Sequence, residues 1–87
     1  MEIAIKTFVK DSRRPDWLIR LLYEVRNYCP TVGAISWIES AIQNATLVKR
    51  SKVYPLADCV RVDSQESTLT IYTLYKDNPI VEFKVIN

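Results

Sequence analysis

The chain has 87 residues, of which 48% are hydrophobic and 25% charged, and its net charge is +2. This length fits one domain over residues 1–87, and this composition predicts a folded chain and excludes a disordered one. No apolar run reaches the roughly 18 residues that a membrane span needs, and no secretory signal opens the chain, so we expect a cytoplasmic protein that binds no membrane.

The residue types needed for common catalytic and metal sites are scarce. There is no histidine, one glycine and two cysteines. Histidine is the commonest general base and metal ligand, structural zinc needs about four Cys or His ligands, and phosphate loops need several glycines. We expect Cys29 and Cys59 to be reduced, with Cys29 the more buried. The sequence therefore predicts no catalytic residues, no metal and no cofactor, and a protein that is not an enzyme.

Residues 2–10 predict the first strand, because apolar and polar side chains alternate there. One face carries Ile3, Ile5, Thr7 and Val9, and we expect it to cover the core. Phe8 lies among polar residues on the opposite face.

The segment PDWLIRLLYEVRNYC, residues 15–29, predicts the first helix. Pro15 is tolerated in a first helical turn, and the positive end of the helix dipole stabilises Asp16. The apolar stripe at helical spacing consists of Leu18, Leu21, Leu22, Val25 and Cys29.

The segment TVGAISWIESAIQNATLVKR, residues 31–50, predicts a second helix with Thr31 as its N-cap. Its apolar stripe begins at Ala34 and ends at Ala45. Lys49 and Arg50 would then lie at the C-terminal end, where the helix dipole stabilises positive charge.

Three strands are predicted in the remainder of the chain. The first is residues 57–64, ADCVRVDS, where polarity alternates, and the following SQES is predicted to be a turn. The other two strands form a hairpin over residues 69–87, closed at Asp77–Asn78, which tolerate positive φ. The order β-α-α-β-β-β predicts an α+β fold. It is a two-layer sandwich with a four-stranded, mainly antiparallel sheet and two helices on one face. The strand order is left open.

The faces of the last hairpin give the main functional prediction. With a two-residue turn, Tyr72 lies opposite Phe83 on the face that the helices cover. Ile71 then points to the other face, where an exposed mixture of apolar, tyrosine and charged side chains is typical of a protein interface. The predicted partner-binding residues are Phe8, Leu69, Ile71, Tyr75, Ile80, Lys84 and Ile86.

Positive charge is concentrated in the first part of the chain. Residues 1–53 carry a net charge of +4 and residues 54–87 carry −2, with basic clusters in VKDSRR and VKRSK. These clusters are either solvated rims or a surface that contacts phosphates. The candidate nucleic-acid contacts are Lys10, Arg13, Arg14, Lys49, Arg50 and Lys52.

The ending TIYTLYKDNPIVEFKVI, together with the predicted element order in a small basic chain, resembles the RelE/ParE toxin family. The resemblance covers most of the chain as element order and implies a shared fold and ribosome-dependent cleavage of messenger RNA. Strands that usually show arginines in this family carry Tyr72, Tyr75 and Lys84 here, and Arg61 lies one strand earlier.

The sequence thus favours a small non-enzymatic α+β protein that binds another protein, or a second copy of itself, through its sheet face. An inhibitor, an adaptor or a virus- or mobile-element-encoded antagonist of a host system would fit this prediction. The alternative is a protein that binds nucleic acid or cleaves messenger RNA through a basic surface.

Overall fold

A computed structural model of the chain describes residues 2–28, 33–75 and 77–86. Two short 3₁₀ turns, Asp11–Arg13 and Leu56–Asp58, connect its main elements. Those elements are β1 (Glu2–Thr7), α1 (Asp16–Asn27), α2 (Ala34–Asn44), β2 (Thr46–Lys49), β3 (Lys52–Pro55), β4 (Val60–Gln65), β5 (Thr68–Thr73) and β6 (Pro79–Ile86).

The main sheet has four antiparallel strands in the order β1-β6-β5-β4. Side chains from both helices and from β4, β5 and β6 form one buried core, so the helices cover one face of this sheet. The predicted α+β fold is confirmed. The structure adds a separate two-stranded sheet, β2–β3, that was not predicted.

Helix α1 forms where the sequence predicts it. Asp16 lies in the first turn, and the backbone N–H of Leu18 donates to the carbonyl of Pro15 at 3.0 Å. Leu18, Leu21, Leu22 and Val25 are buried, which confirms the predicted stripe. Cys29, the last member of that stripe, lies outside the described residues. The helix therefore contributes to the core one apolar face about three turns long.

Helix α2 is shorter than predicted. Gly33 precedes it with φ +69°, a left-handed conformation that glycine adopts without steric cost. The backbone N–H of Ala45 donates to the carbonyls of Ala41 and Ile42, which closes the last turn. The prediction that the helix continues to residue 50 is wrong, because residues 46–49 form β2. The predicted cap, Thr31, lies outside the described residues.

Residues 46–55 form a hairpin, which we call the arm. Threonine, valine and tyrosine favour strands, and the arm pairs Leu47 with Tyr54 and Val48 with Val53. Arg50 and Ser51 have φ values of 49° and 68°, so the loop is a type I′ turn, which suits the twist of a two-residue hairpin. Lys49 and Arg50 therefore occupy a hairpin tip. The prediction that they stabilise a helix end is wrong.

The arm stands away from the core. Of its eight strand residues, seven are exposed and only Leu47 is half-buried. Its base is fixed by a backbone hydrogen bond of 2.9 Å from the N–H of Leu56 to the carbonyl of Ala45. Leu56 itself is buried in the core, so the arm projects from an anchored base.

The register of β5 and β6 differs from the prediction. Leu69 pairs with Phe83, and Ile71 pairs with Val81, where the sequence predicted Tyr72 opposite Phe83. A bulge follows, so that Tyr72 pairs with Pro79. The observed register is shifted from the predicted one by three residues, which is an odd number. Because successive residues of a strand point to opposite faces, every side chain of β5 lies on the face opposite to the predicted one. The predicted two-residue turn is wrong because residues 74–78 connect the strands.

The core face of the sheet follows from this register. Leu69 and Ile71 are 0% exposed and Ile80 is 8% exposed. The prediction that these three lie on an exposed face is therefore wrong. On β1 the predicted faces are confirmed, with Ile3 and Ile5 packed against the core, but the strand ends at Thr7 and not at residue 10. Phe8, just beyond the strand, is exposed as predicted. Of the two described helices, neither has the length and apolarity needed to cross a bilayer.

We expect Ile71→Ala to lower the free energy of unfolding by about 2–5 kcal/mol, because it leaves a cavity in the core. The same exchange at Ile86, which is 46% exposed on β6, should cost less than about 1 kcal/mol. Urea unfolding followed by circular dichroism measures both. Equal losses would contradict the burial of Ile71.

We expect Ser51→Gly to stabilise the arm by about 0.5–1 kcal/mol, because positive φ strains a residue with a Cβ and glycine removes that strain. Amide hydrogen exchange within residues 46–55 should slow. The control is Ser64→Gly in β4, where φ is not positive and glycine should destabilise the strand. Faster exchange in the arm of Ser51→Gly would refute the strain argument.

Candidate binding surface

The predicted partner-binding residues do not form one patch. Leu69, Ile71 and Ile80 belong to the core. Of the others, Ile86 pairs with Glu2 at one end of the sheet, whereas the backbone N–H of Phe8 donates to the carbonyl of Ile80 at the other end. Phe8, Tyr75, Lys84 and Ile86 are exposed, but Lys84 and Ile86 lie towards one end of β6, whereas Phe8 lies at the other end of the sheet and Tyr75 beyond the end of β5.

The sheet face opposite the helices, which we call the outer face, is polar. One row of cross-strand neighbours consists of Lys6, Glu82, Thr70 and Asp63. Within the described strands, its charged residues are three positive and three negative: Lys6, Arg61, Lys84, Glu2, Asp63 and Glu82. Opposite charges this close together cancel at a distance, so the outer face does not attract polyanions.

Arg61 is held on the outer face by two contacts. Its guanidinium donates to the Asp77 carboxylate at 2.6 Å and lies 4.4 Å from the ring centroid of Tyr72. Such a cation–π contact at an exposed site contributes about 0.5–1 kcal/mol. The interactions orient Arg61 but leave no unpaired positive charge at this position.

The four residues named by the toxin-family resemblance are spread over the sheet. Arg61 and Tyr72 are cross-strand neighbours on the outer face. Lys84 pairs with Thr68, four residues along β5 from Tyr72, which corresponds to about 13 Å. Tyr75 lies beyond the end of β5. Catalysis by all four together would require the substrate to span this distance.

An open groove of about 700 Å³ lies between the arm and the end of the main sheet. The arm contributes one wall, the start of α1 another, and the ends of β4 and β5 form the base. Its large apolar lining residues are Trp17, Leu47, Tyr54, Leu74, Tyr75 and Ile80. We call this concavity the groove.

The groove lies where exposed apolar surface is concentrated. Tyr54 and Leu74 are each 41% exposed, and Tyr75 is 93% exposed. On the other side of the arm, the cross-strand pair Val48 and Val53 is 68% and 62% exposed. Five of the ten large apolar side chains exposed within the described residues thus belong to the arm and the groove. Concentrations of exposed apolar side chains mark interaction sites, whereas singly scattered apolar residues are ordinary surface.

The tip of the arm is basic. A second concavity of about 380 Å³ is lined by Lys49, Arg50, Lys52 and Tyr54, and we call it the tip cleft. No acidic residue occurs between Glu39 and Asp58 in the sequence. Within the described residues, none of the three basic side chains of the tip forms an ion pair. The tip therefore presents three positive charges that the fold does not neutralise.

The other candidate nucleic-acid contacts have a partly structural role. Lys10 and Arg13 are exposed on the segment that leads to α1 and the groove. Arg14 is half-buried, is paired with Asp11 and donates to the hydroxyl of Thr7 at 3.0 Å. Arg14 therefore fastens the 3₁₀ turn to the end of β1. Five of the six predicted cations remain available at the surface.

The groove has few groups that could perform chemistry. Cys59 lines it and is half-buried, with its thiol 3.6 Å from the carbonyl of Pro55. Asp58 and Lys49 are the charged side chains of the lining. No three acidic or cysteine side chains of the described residues lie close enough together for a metal site. The lining of the groove thus offers mainly apolar contact surface. That the protein binds no cofactor stays a prediction.

Sequence reasoning missed the arm, although a signal was present. Thr46, Val48, Val53 and Tyr54 are strand-forming residues on both sides of KRSK. The loop lacks the Asn-Gly or Asp-Gly pair that usually identifies a type I′ turn.

Comparisons of the chain with protein-family models, curated proteins and solved structures found no match.

Proposed function

We propose that this chain is a protein-binding module that acts through the arm and the groove. The observation that carries the proposal is the exposed Val48–Val53 pair on a hairpin that makes few contacts with the core. A lone two-stranded hairpin is marginally stable in water, and apolar side chains exposed on both of its faces contribute little to folding. A partner that covers them would bury this surface and stabilise the arm.

The composition of the surface supports the same proposal. Tyrosine, tryptophan and arginine are enriched at protein interfaces, and Tyr54, Tyr75, Trp17 and Arg50 lie at or beside the groove. The predicted binding function is retained, but its surface moves from the outer face to the arm. An inhibitor or adaptor that works in the cytoplasm fits this kind of site.

A photocrosslinking amino acid at position 53 should capture a discrete partner in the source cells, because Val53 is exposed on the arm. The same reagent at position 23 on α1, where Tyr23 is 61% exposed, should not capture it. The proposed partner covers both faces of the arm and fills the groove, so adding Tyr75→Ala should weaken capture from position 53 by at least tenfold, since aromatic residues dominate interfaces. Identical products from both positions would refute the proposal.

Nucleic-acid binding is the second candidate, and the unneutralised tip favours it. A two-stranded ribbon fits the major groove of DNA, and three phosphate contacts make the logarithm of the binding constant fall with the logarithm of the salt concentration with a slope of about −3.

We expect weak nucleic-acid binding whose affinity falls about 20-fold between roughly 50 and 150 mM salt. The triple variant Lys49→Gln, Arg50→Gln, Lys52→Gln should abolish this dependence, and Lys84→Gln should not. Fluorescence anisotropy with labelled DNA and RNA measures it. Tight binding that persists at physiological salt would favour nucleic acid over protein as the ligand.

A further inference from the structure

The groove and the tip cleft are parts of one continuous surface. Lys49 and Tyr54 line both concavities. One bound segment can therefore fill the apolar groove and extend over the basic tip. The two parts differ in chemistry, so the occupant must carry both apolar and negatively charged groups.

The tip contains an electrostatic arrangement that folding does not explain. Lys49 and Lys52 are direct cross-strand partners, and Arg50 lies in the turn between them. Like charges directly opposite each other destabilise a strand pair. No described acidic side chain forms an ion pair with any of the three. A negatively charged ligand would relieve this repulsion, so the charge of the occupant follows from complementarity.

The register places these cations on the groove side of the arm. Alternate residues of a strand share a face, so Leu47 and Lys49 of β2 point the same way. Their partners, Tyr54 and Lys52, lie on that same face. Along this face an apolar pair at the base is thus followed by a basic pair at the tip. The spacing between the two pairs is about 7 Å, which is two residues of an extended chain.

Resting on the proposed function, we propose that the arm binds an extended acidic peptide segment of its protein partner. One or two large apolar side chains of the segment enter the groove against Tyr54, Leu74 and Tyr75. Acidic residues about two positions away lie over Lys49, Arg50 and Lys52. The arm also has unpaired strand edges, which can form backbone hydrogen bonds with an extended segment.

The lining favours a peptide over a nucleic acid. The large apolar lining is half aromatic (Trp17, Tyr54 and Tyr75) and half aliphatic (Leu47, Leu74 and Ile80), and the aliphatic half offers no flat surface for stacking bases. Asp58 places a negative charge at the base of the groove, away from the tip, where a phosphate backbone would be repelled. Acidic residues of a peptide can be confined to the tip, whereas nucleic-acid phosphates repeat along the whole strand.

A random 12-residue peptide library displayed on phage tests this proposal with the intact chain as target. We expect enriched peptides to carry net negative charge, with Asp or Glu about two residues from Trp, Phe or Leu. A synthetic copy of an enriched peptide should bind at least tenfold more weakly to each of two variants. These are the triple glutamine variant of the tip and the groove variant Tyr54→Ala, Tyr75→Ala.

The controls are matched in chemistry and lie outside this surface. Lys84→Gln on the outer face and Tyr23→Ala on α1 should change peptide affinity by less than about twofold. Circular dichroism should show the fold retained in every variant, since each replaced residue is exposed. Enrichment of neutral or basic peptides, or no enrichment, would overturn the proposal. Equal affinity of the selected peptide for all four variants would also overturn the proposal.

Two further outcomes identify other occupants. Labelled single-stranded or duplex oligonucleotides that displace the selected peptide at physiological salt would overturn the proposal in favour of nucleic acid. Dimerisation in sedimentation experiments that the groove variant abolishes would overturn it in favour of a second copy. If position 53 crosslinks a partner but enriched peptides are not acidic, the protein-binding function stands and only the acidic-segment proposal fails.

Discussion

The pairing of β5 with β6 determines what the rest of the structure can do. Leu69 opposite Phe83 and Ile71 opposite Val81 place four large side chains on the face that the helices cover. Each fully buried aliphatic or aromatic side chain contributes about 1.5–3 kcal/mol through the hydrophobic effect. A shift of β5 by one residue would expose Leu69 and Ile71 and bury Thr70 and Tyr72 instead. The register is therefore fixed by burial and not by the turn.

The same register decides which surfaces of the molecule are apolar. Because β5 commits its aliphatic residues to the core, the outer face keeps threonines and balanced charges. The bulge after Ile71 places both Ile80 and Val81 in the buried set. Half of the large exposed apolar side chains of the described residues lie in the arm and the groove. The main sheet thus acts as a scaffold, and the binding surface that we propose lies in the part of the chain that contributes least to the core.

The sequence predicts elements well where a single periodicity dominates. The strand at residues 2–10 and the α1 stripe were predicted on the correct faces because each repeats its apolar residues at one clear interval. The arm was missed because LVKRSKVY carries both helix-compatible lysines and arginine and strand-forming valines, and the turn has no glycine. The five-residue connection between β5 and β6 was read as a two-residue turn, which reversed the predicted faces. The sequence identified the basic residues of the tip as exposed charge. Their position beside an apolar groove depends on tertiary structure and could not be predicted from the sequence.

The hydrogen bond between Ala45 and Leu56 makes the arm separable from the scaffold. These two residues already lie side by side at its base, with Leu56 anchored in the core. A tight turn could join them without disturbing the four-stranded sheet, and a longer or different hairpin could be inserted at the same place. Insertions at exposed loop ends are tolerated when the flanking backbone is held together. The arm can therefore be replaced as a unit, and the same junction offers a site for grafting foreign hairpins onto the scaffold.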